Sequence, residues 1–394
     1  MAGAWLPVNG VGEPLLWRRL VPEYPTQVSD QVMTERHRAI VHLDLDAFFA
    51  AVEVLENPDL AGRPLIIGGH PKERGVVATA SYPARAFGVH SAMPMSRALA
   101  LCPDAIVLPA RHSLYRDYSR QVMAVLHEAC PTVEQVSIDE AYLDLSDQIV
   151  HWESSIESAR QIQHRIHQEI RLSASLGVAT NKLVAKVASD QNKPFGLTAV
   201  KPGDEAAFLD PLPVQALHGI GPVTARKLAE LGVTTVGDLA RIPQAILQEH
   251  FGHYATAMAR MSRGIDERPV VTEHERKSIS QETTFSRDVS DPESLRRHLW
   301  GLSQGVGRHL RGQGLAAKTV AVKVRYPDFS TLTRQMRLAM PIDDDREIYR
   351  TALVLFRRAW KQGRPVRLLG VAVRGLSSPA GQLWLWEKRG GKSA

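Results

Sequence analysis

Three acidic side chains are the first candidates for chemistry in this 394-residue sequence. Asp44 lies near the end of a segment, 40–46, in which apolar and polar residues alternate as in a half-buried strand. Asp139 and Glu140 lie within a second strand-like segment. Carboxylates at the ends of adjacent strands can bind two divalent cations about 3.5–4 Å apart, and Mg²⁺ suits such ligands. Acids at strand ends are also often solvated or cap the backbone, so spacing alone leaves both interpretations open.

Two further segments carry groups that could bind phosphate. Thr79, Tyr82 and Arg85 are spaced three residues apart, which can place a hydroxyl, a phenol and a guanidinium on one helical face. Asn181 and Lys182 follow a strand-like segment at a predicted helix start, where backbone N–H groups and a lysine charge attract anions. The alternative is that these are ordinary helix-surface residues.

The elements that must position these residues mix strands with helices. Helices are predicted around 81–101, over 113–129 and from about 154 to 170, between strand-like segments that end with 172–178. This mixture indicates an α+β domain. From about residue 200, prolines and glycine turns separate short helices, and from about 276 the order β-α-β-β-α-β predicts a ferredoxin-like unit.

The charge of the chain is unevenly distributed. Residues 268–394 carry a net charge of +12 and residues 1–267 a net charge of −6. Within the strand-like segment 319–326, Lys323 and Arg325 alternate with valines, so one face is basic. The basic third indicates a polyanionic partner, although an uneven but ordinary surface remains the alternative.

Composition excludes several protein classes. No stretch approaches 18 consecutive apolar residues, so no membrane partner is expected. The N-terminus lacks a basic region ahead of its apolar residues, which makes it a poor secretory signal. Cys102 and Cys130 are too few for a disulfide framework or a four-sulfur zinc site. We therefore expect a cytoplasmic protein.

Five motifs resemble the Y-family of translesion DNA polymerases, most closely its DNA polymerase IV branch. In chain order they are HLDLDAFFAAVE, VVATASYPARAFGV, SIDEAYLDL, VATNKLVAKVASD and KSISQETTF. The resemblance extends from about residue 40 to 376. It implies an α+β, multidomain right-hand polymerase. The expected parts are an irregular N-terminal extension (1–38), a catalytic palm (39–47 and 111–199), small fingers (48–110), a helical thumb with a helix-hairpin-helix (200–267), a linker (268–277), a ferredoxin-like little finger (278–378) and a tail with a candidate clamp-binding motif (379–394).

The resemblance also implies roles for single residues. Two Mg²⁺ ions would be bound by the side chains of Asp44, Asp139 and Glu140, which are the catalytic acids, and by the backbone carbonyl of Leu45. Asp46 matches a position that is not usually assigned to metal and is expected to be structural. Phe49 matches the steric gate, whose ring excludes a ribose 2′-hydroxyl. The expected nucleotide contacts are Phe48, Thr79, Tyr82, Arg85 and Lys182.

Other matched residues imply macromolecular contacts. Gly219 and Gly221 resemble the turn of a helix-hairpin-helix, whose N–H groups meet a DNA phosphate. Lys323 and Arg325 are expected to contact DNA from the little finger. A last motif resembles the segment with which bacterial polymerases bind the sliding clamp; its key residues are Gln382, Leu383, Leu385 and Trp386.

The expected function is low-fidelity, template-directed DNA synthesis across damaged or misaligned template, from dNTPs onto a primer 3′-hydroxyl, by a monomer without proofreading. Its partners would be primer–template DNA, dNTPs and the clamp. One alternative is a catalytic subunit of the DNA polymerase V type, against which the motif KSISQETTF argues. More remote alternatives are a palm-type nucleotidyl cyclase, which needs no duplex grip, and a non-catalytic DNA- or clamp-binding relative, which needs no intact acids.

Overall fold

The computed structural model describes residues 37–273 and 275–378. The expected N-terminal extension up to residue 36 and the tail with the candidate clamp motif, 379–394, lie outside the described residues. In the described part of the chain, no helix combines the length and the apolar character needed to cross a membrane. The chain divides into the units Met1–Arg36 and His37–Ala394, and the second unit is described below.

Residues 40–199 alternate strands and helices, as the sequence pattern predicts. The elements of this region are β1 (Ile40–Leu45), α1 (Phe48–Glu56), β2 (Leu65–Gly68), β3 (Val77–Ala80), α2 (Tyr82–Arg85), α3 (Met95–Leu101), β4 (Ile106–Leu108), α4 (His112–Ala129), β5 (Val133–Gln135), β6 (Glu140–Asp144), α5 (Trp152–Ile170), β7 (Ala174–Ala179), α6 (Lys182–Ser189) and β8 (Leu197–Ala199).

The larger sheet of this region has the strand order β5-β6-β1-β7-β8, with β1 at its centre. β1 is antiparallel to β6 and to β7. Its alternating side chains are divided between two cores. Val41, Leu43 and Leu45 belong to the core with α4 and α5, whereas Ile40 belongs to the core with α6. The expected half-buried strand is therefore covered on both faces, and even His42 is 0% exposed.

A smaller sheet, β3-β2-β4, precedes α4. The single helix expected around 81–101 is wrong, because α2 and α3 are separated by residues 86–94. Gly88 has φ +82° just after α2, a left-handed conformation that ends the helix at little cost for glycine. The chain then returns to β3, where the N–H of Ala92 donates to the carbonyl of Val77 and the N–H of Val77 to that of Met93.

Short helices follow the larger sheet. They are α7 (Glu205–Leu209), α8 (Pro222–Glu230), α9 (Val236–Arg241), α10 (Gln244–Phe251) and α11 (Tyr254–Met261). Their apolar side chains, such as Leu228 and Met258, share one core with α6. Gly219, in the turn before α8, has φ +98°, and Gly221 is the N-cap of α8.

The C-terminal unit has the β-α-β-β-α-β order that the sequence predicts. Its elements are β9 (Ser278–Val289), α12 (Pro292–Gly312), β10 (Ala316–Arg325), β11 (Thr331–Ile342), α13 (Asp345–Ala359) and β12 (Val366–Ser377). The strands form an antiparallel sheet in the order β11-β10-β12-β9, and α12 and α13 share its core. The Arg74 guanidinium, in the turn between β2 and β3, donates to Asp288 Oδ1 (2.6 Å) and to the carbonyl of Phe285 (3.2 Å) on β9.

Helix α6 packs very closely on β7 at Gly177. A Cβ added at Gly177 would lie 2.0 Å from the carbonyl oxygen of Ala185 and 2.5 Å from the backbone nitrogen of Ser189. Both atoms are backbone, so the whole helix would have to move to relieve the clash. The absence of a side chain at this position therefore sets the height of α6 above the sheet.

We expect Gly177→Ala to lower the free energy of unfolding by about 1–3 kcal/mol, because the added methyl overpacks this contact. The matched control is Gly301→Ala in α12, where an added Cβ meets nothing within 4 Å. That change should be neutral or stabilise by up to about 1 kcal/mol, since alanine favours helix more than glycine does. Urea unfolding of both variants measures the difference, and equal stabilities would contradict the packing argument.

Candidate active site

The three predicted acids lie together at one end of the larger sheet. Asp44 on β1 is the register partner of Glu140 on β6. The backbone N–H of Leu45 donates to the carbonyl of Asp139 (3.0 Å), which fixes Asp139 beside the end of β1. Residues that are far apart in sequence are thus brought together by one antiparallel pairing.

Asp139 itself lies in a turn rather than inside a strand, since β5 ends at Gln135 and β6 begins at Glu140. Ser137 holds this turn. Its hydroxyl oxygen accepts the N–H groups of Asp139 (3.1 Å) and Glu140 (3.0 Å), and the hydroxyl lies 2.5 Å from Asp139 Oδ1. The turn therefore presents two consecutive acids with a fixed backbone.

Two of the three acids, Asp44 and Glu140, form ion pairs with lysines. The Lys193 ammonium lies 2.7 Å from Asp44 Oδ1 and 2.8 Å from Asp190 Oδ1. The Lys186 ammonium lies 2.9 Å from Glu140 Oε2. Sequence reasoning missed both. Lys186 could have been found because it follows Lys182 by one helical turn in the same motif, whereas Lys193 lies in the connection after α6 and carries no periodic signal.

The two facing carboxylates have opposite electrostatic environments. Burial raises the pKa of Asp44 to about 6, although the charge of Lys193 opposes this shift. The pKa of Glu140 is held well below its usual range by His42 and Lys186. Of the two, we regard Lys186 as the stronger partner, because His42 Nε2 is 3.7 Å from Glu140 Oε2, too far for a hydrogen bond, and burial lowers the pKa of His42 so that it is uncharged.

The donor set suits a hard divalent cation, since it consists of carboxylate and backbone oxygens. Within residues 37–273 and 275–378, however, no three acidic, histidine or cysteine side chains already converge on one position for a metal ion. The reason is visible in the contacts: Asp139 turns to Ser137, and the other two acids hold ammonium groups. Cation binding would exchange these contacts for metal–oxygen bonds.

The expected phosphate contacts do not share one helix. Thr79 lies on β3, whereas Tyr82 and Arg85 are the first and last residues of α2. The Arg85 guanidinium lies 5.0 Å from the centre of the Tyr82 ring. The Tyr82 hydroxyl donates to Asp46 Oδ1 (3.1 Å), and burial, together with the Asp46 charge, raises the pKa of Tyr82 to about 12.

The Lys182 side chain is buried in an ion pair. Its ammonium lies 2.6 Å from Glu134 Oε2 and 4.7 Å from the centre of the Tyr142 ring, and the residue is 7% exposed. A phosphate would have to break this buried ion pair. The structure thus pairs Lys182 with Glu134, and the lysines that reach the predicted acids are Lys186 and Lys193.

The two phenylalanines that follow β1 differ in environment. Phe48 is buried in the core, whereas Phe49 is half-buried. The Phe49 ring stacks on Tyr115, with the ring centres 4.1 Å apart and the planes 14° apart. The Tyr115 hydroxyl in turn donates to Glu53 (2.5 Å), which also accepts from Arg111. Phe49 therefore rests on a fixed ring, and sequence reasoning did not find this support.

The expected DNA contacts lie on other parts of the fold. On β10 the Lys323 ammonium donates to Glu282 Oε2 (2.8 Å) on β9, and Arg325 donates to the hydroxyl of Thr331 (2.9 Å). The valines that alternate with them are buried in the core beneath. Both cations thus lie on the sheet face that α12 and α13 leave uncovered.

The chain is similar to known proteins over most of its length. Residues 43–190 match the family described as impB/mucB/samB, residues 276–385 match its C-terminal domain, and residues 215–266 match a family described as DNA polymerase-iota, thumb domain. A protein of Alkalilimnicola ehrlichii named DNA polymerase IV is 45% identical over 86% of this chain and 95% of its own length. Another of that name, from Streptococcus pneumoniae serotype 4, is 41% identical over 87% and 98%.

Solved structures are similar as well. A chimeric Y-family DNA polymerase built from Dbh and Dpo4 has a TM-score of 0.77 and 29% identity, covering 86% of this chain and 98% of its own. An insertion ternary complex of Dbh DNA polymerase has a TM-score of 0.63 and 29% identity, covering 85% and 98%.

The buried ion pair of Lys182 with Glu134 can be tested through stability. Lys182→Met should lower the free energy of unfolding by about 3–5 kcal/mol, because it removes the ammonium group from a buried ion pair with Glu134. Lys201→Met, at an exposed lysine, is the control and should change stability by less than about 0.5 kcal/mol. Urea unfolding measures both, and an unchanged midpoint for Lys182→Met would contradict the buried pair.

Proposed function

Because the chain belongs to the Y-family of DNA polymerases, in the bacterial DNA polymerase IV branch, we propose that its five-stranded sheet is the palm and that two Mg²⁺ ions bind there. The protein is a DNA-directed DNA polymerase for translesion synthesis, and members of the family use divalent metal ions. Its likeness to relatives named DNA polymerase IV does not favour the polymerase V or cyclase alternatives.

The observation that carries the proposal is the register of β1 and β6. It sets Asp44 opposite Glu140, while the Leu45–Asp139 hydrogen bond brings in the third acid. In the proposal these three side chains and the Leu45 carbonyl hold the ions, and Glu140 lies on the side of the primer 3′-hydroxyl. The ions would stabilise charge on the attacking and leaving oxygens of nucleotidyl transfer.

The protein's own residues position the nucleotide in this proposal. Thr79, Tyr82 and Arg85 meet the triphosphate from β3 and α2. Lys193 takes the place first expected for Lys182, because its charge acts on both Asp44 and Tyr82. Phe48 shapes the pocket, and Phe49 lies against the sugar with Tyr115 behind it.

The remaining domains bind primer–template DNA. In our proposal residues 39–47 and 111–199 are the palm, 48–110 the fingers, 200–267 the thumb, 268–277 a linker and 278–378 the little finger. The turn with Gly219 and Gly221 at the start of α8 would place N–H groups at a phosphate. Lys323 and Arg325 face the duplex from the open side of the C-terminal sheet.

Three finer points complete the proposal. The protein acts as a monomer in the cytoplasm, and its tail binds the sliding clamp through Gln382, Leu383, Leu385 and Trp386, which lie outside the described residues. Bulky apolar side chains on an extended segment suit a hydrophobic groove on the clamp.

Loss of a catalytic acid should abolish synthesis. Asp139→Ala or Glu140→Ala should reduce primer extension by about 10³-fold or more, because each removes a metal ligand, while duplex binding persists. Asp144→Ala, at the other end of β6, is the matched control and should retain activity within a few-fold. Gel-based extension and fluorescence anisotropy give the two readouts, and undiminished synthesis would reject the metal assignment.

Phe49→Ala should admit ribonucleotides, because the ring that meets the 2′-hydroxyl is gone. We expect the ratio of kcat/KM for dNTP over rNTP to fall by about 10²-fold or more, which corresponds to roughly 3 kcal/mol. Phe87→Ala, at an exposed phenylalanine of the fingers, should leave the ratio unchanged. Unaltered discrimination in Phe49→Ala would place the gate elsewhere.

Deletion of residues 380–394 should remove stimulation of synthesis by the clamp and spare synthesis without it, since the tail lies beyond the catalytic domains. Extension on circular primed template with and without clamp measures this. An equal response of the deleted and full-length chains would exclude the tail motif.

A further inference from the structure

Asp46 is a buried carboxylate that the metal assignment does not use. It lies between the end of β1 and the start of α1 and is 3% exposed. Within the described ranges 37–273 and 275–378, no lysine, arginine or histidine forms an ion pair with it. A buried charge without a cation must be stabilised by hydrogen bonds, so its partners indicate what it holds in place.

Four donors surround the Asp46 carboxylate. Oδ1 accepts from the hydroxyls of Ser175 (2.8 Å) and Tyr82 (3.1 Å). Oδ2 accepts from the hydroxyl of Ser173 (2.6 Å) and the backbone N–H of Phe195 (2.9 Å). A carboxylate has about four acceptor positions, so both oxygens are saturated. Asp46 therefore has no free lone pair for a cation, although it is only two residues from Asp44.

These donors come from three separate segments. Ser173 and Ser175 belong to the palm, just before and within β7, and they anchor the carboxylate. Tyr82 begins α2 in the fingers. Phe195 follows, by two residues, the lysine whose ammonium contacts Asp44. One carboxylate thus fixes a phenol of the fingers and the loop that carries Lys193 to the same point of the palm.

We propose that Asp46 is a positioning residue that holds Tyr82 and the Lys193 loop in the arrangement that receives the triphosphate of the incoming nucleotide. The inference rests on the proposed function, in which Tyr82, Arg85 and Lys193 meet that triphosphate. Tyr82 is otherwise a side chain with a rotatable polar end, and Lys193 lies on a connection without regular structure. Ordering both before the nucleotide arrives lowers the entropic cost of binding.

The test is Asp46→Asn, which keeps the shape of the side chain but replaces one acceptor oxygen with an NH₂ group that faces donors. With a dideoxy-terminated primer, which binds dNTP without reacting, we expect the dissociation constant for the correct dNTP to rise about tenfold. With an ordinary primer the KM should rise similarly and kcat should stay within about threefold. Asp144→Asn is the matched control, since Asp144 also accepts from a serine hydroxyl, and it should leave both constants unchanged.

A double-mutant cycle separates positioning from general destabilisation. In a Tyr82→Phe background the effect of Asp46→Asn on the dNTP dissociation constant should be smaller than in the wild type, because part of its action passes through that hydroxyl. The inference would be overturned if the double variant weakened dNTP binding by the full product of the two single effects. A dissociation constant for Asp46→Asn within twofold of wild type would also overturn it. If Asp46→Asn does not fold, Ser173→Ala, which removes only the shortest donor, should weaken dNTP binding about threefold, and an unchanged constant would again overturn it.

A wrong assignment of the triphosphate site would give a different pattern of dNTP dissociation constants. Arg85→Ala and Lys193→Ala should each weaken dNTP binding if these residues meet the triphosphate. If neither does, the proposed triphosphate site is wrong and the role of Asp46 is wrong with it. If both weaken binding and Asp46→Asn does not, only the positioning role is overturned.

Discussion

The proposed active site depends on the antiparallel register of two strands, β1 and β6. A shift of one residue between β1 and β6 would turn Glu140 to the opposite face of the sheet from Asp44, because side chains alternate along a strand. The register is fixed by apolar side chains of β1 on both faces and by the Leu45–Asp139 hydrogen bond. Catalytic geometry and core packing therefore have the same cause.

Because β1 is buried on both faces, the acids near its end lose solvation, and the surrounding residues must stabilise their charge. Burial raises the pKa of Asp44. Asp44 and Glu140 each contact a lysine ammonium, and Asp139 contacts the hydroxyl of Ser137. Lys186 and Lys193 supply the cations; Lys186 lies on α6, which approaches β7 closely at Gly177, and Lys193 lies in the connection after that helix. In the proposed function, a metal ion would replace these ammonium groups rather than enter an uncompensated cluster of negative charge.

The sequence predicted the parts of this arrangement that have a period or a motif. Alternation located β1, the order of elements predicted the C-terminal unit, and the motifs identified the three acids. Periodicity did not predict the features that tertiary contacts determine. Gly88 ends α2 early because the chain must return to β3, and one helical turn separates Lys182, which Glu134 holds, from Lys186, which reaches Glu140. Lys193 and the donors to Asp46 lie in connections or on separate elements, where spacing in sequence carries no information about distance in space.

The contact of Arg74 with β9 has a mechanical consequence. A half-buried ion pair of this kind contributes at most about 1 kcal/mol. Such a contact would hold the C-terminal sheet against the turn between β2 and β3 only weakly, so separating the two at this point would cost little free energy. β3 leads directly into α2, so one short strand connects this turn to Tyr82. In the proposed function, the sheet that contacts the DNA duplex would therefore have a weak, salt-sensitive contact with the segment that leads to the nucleotide pocket.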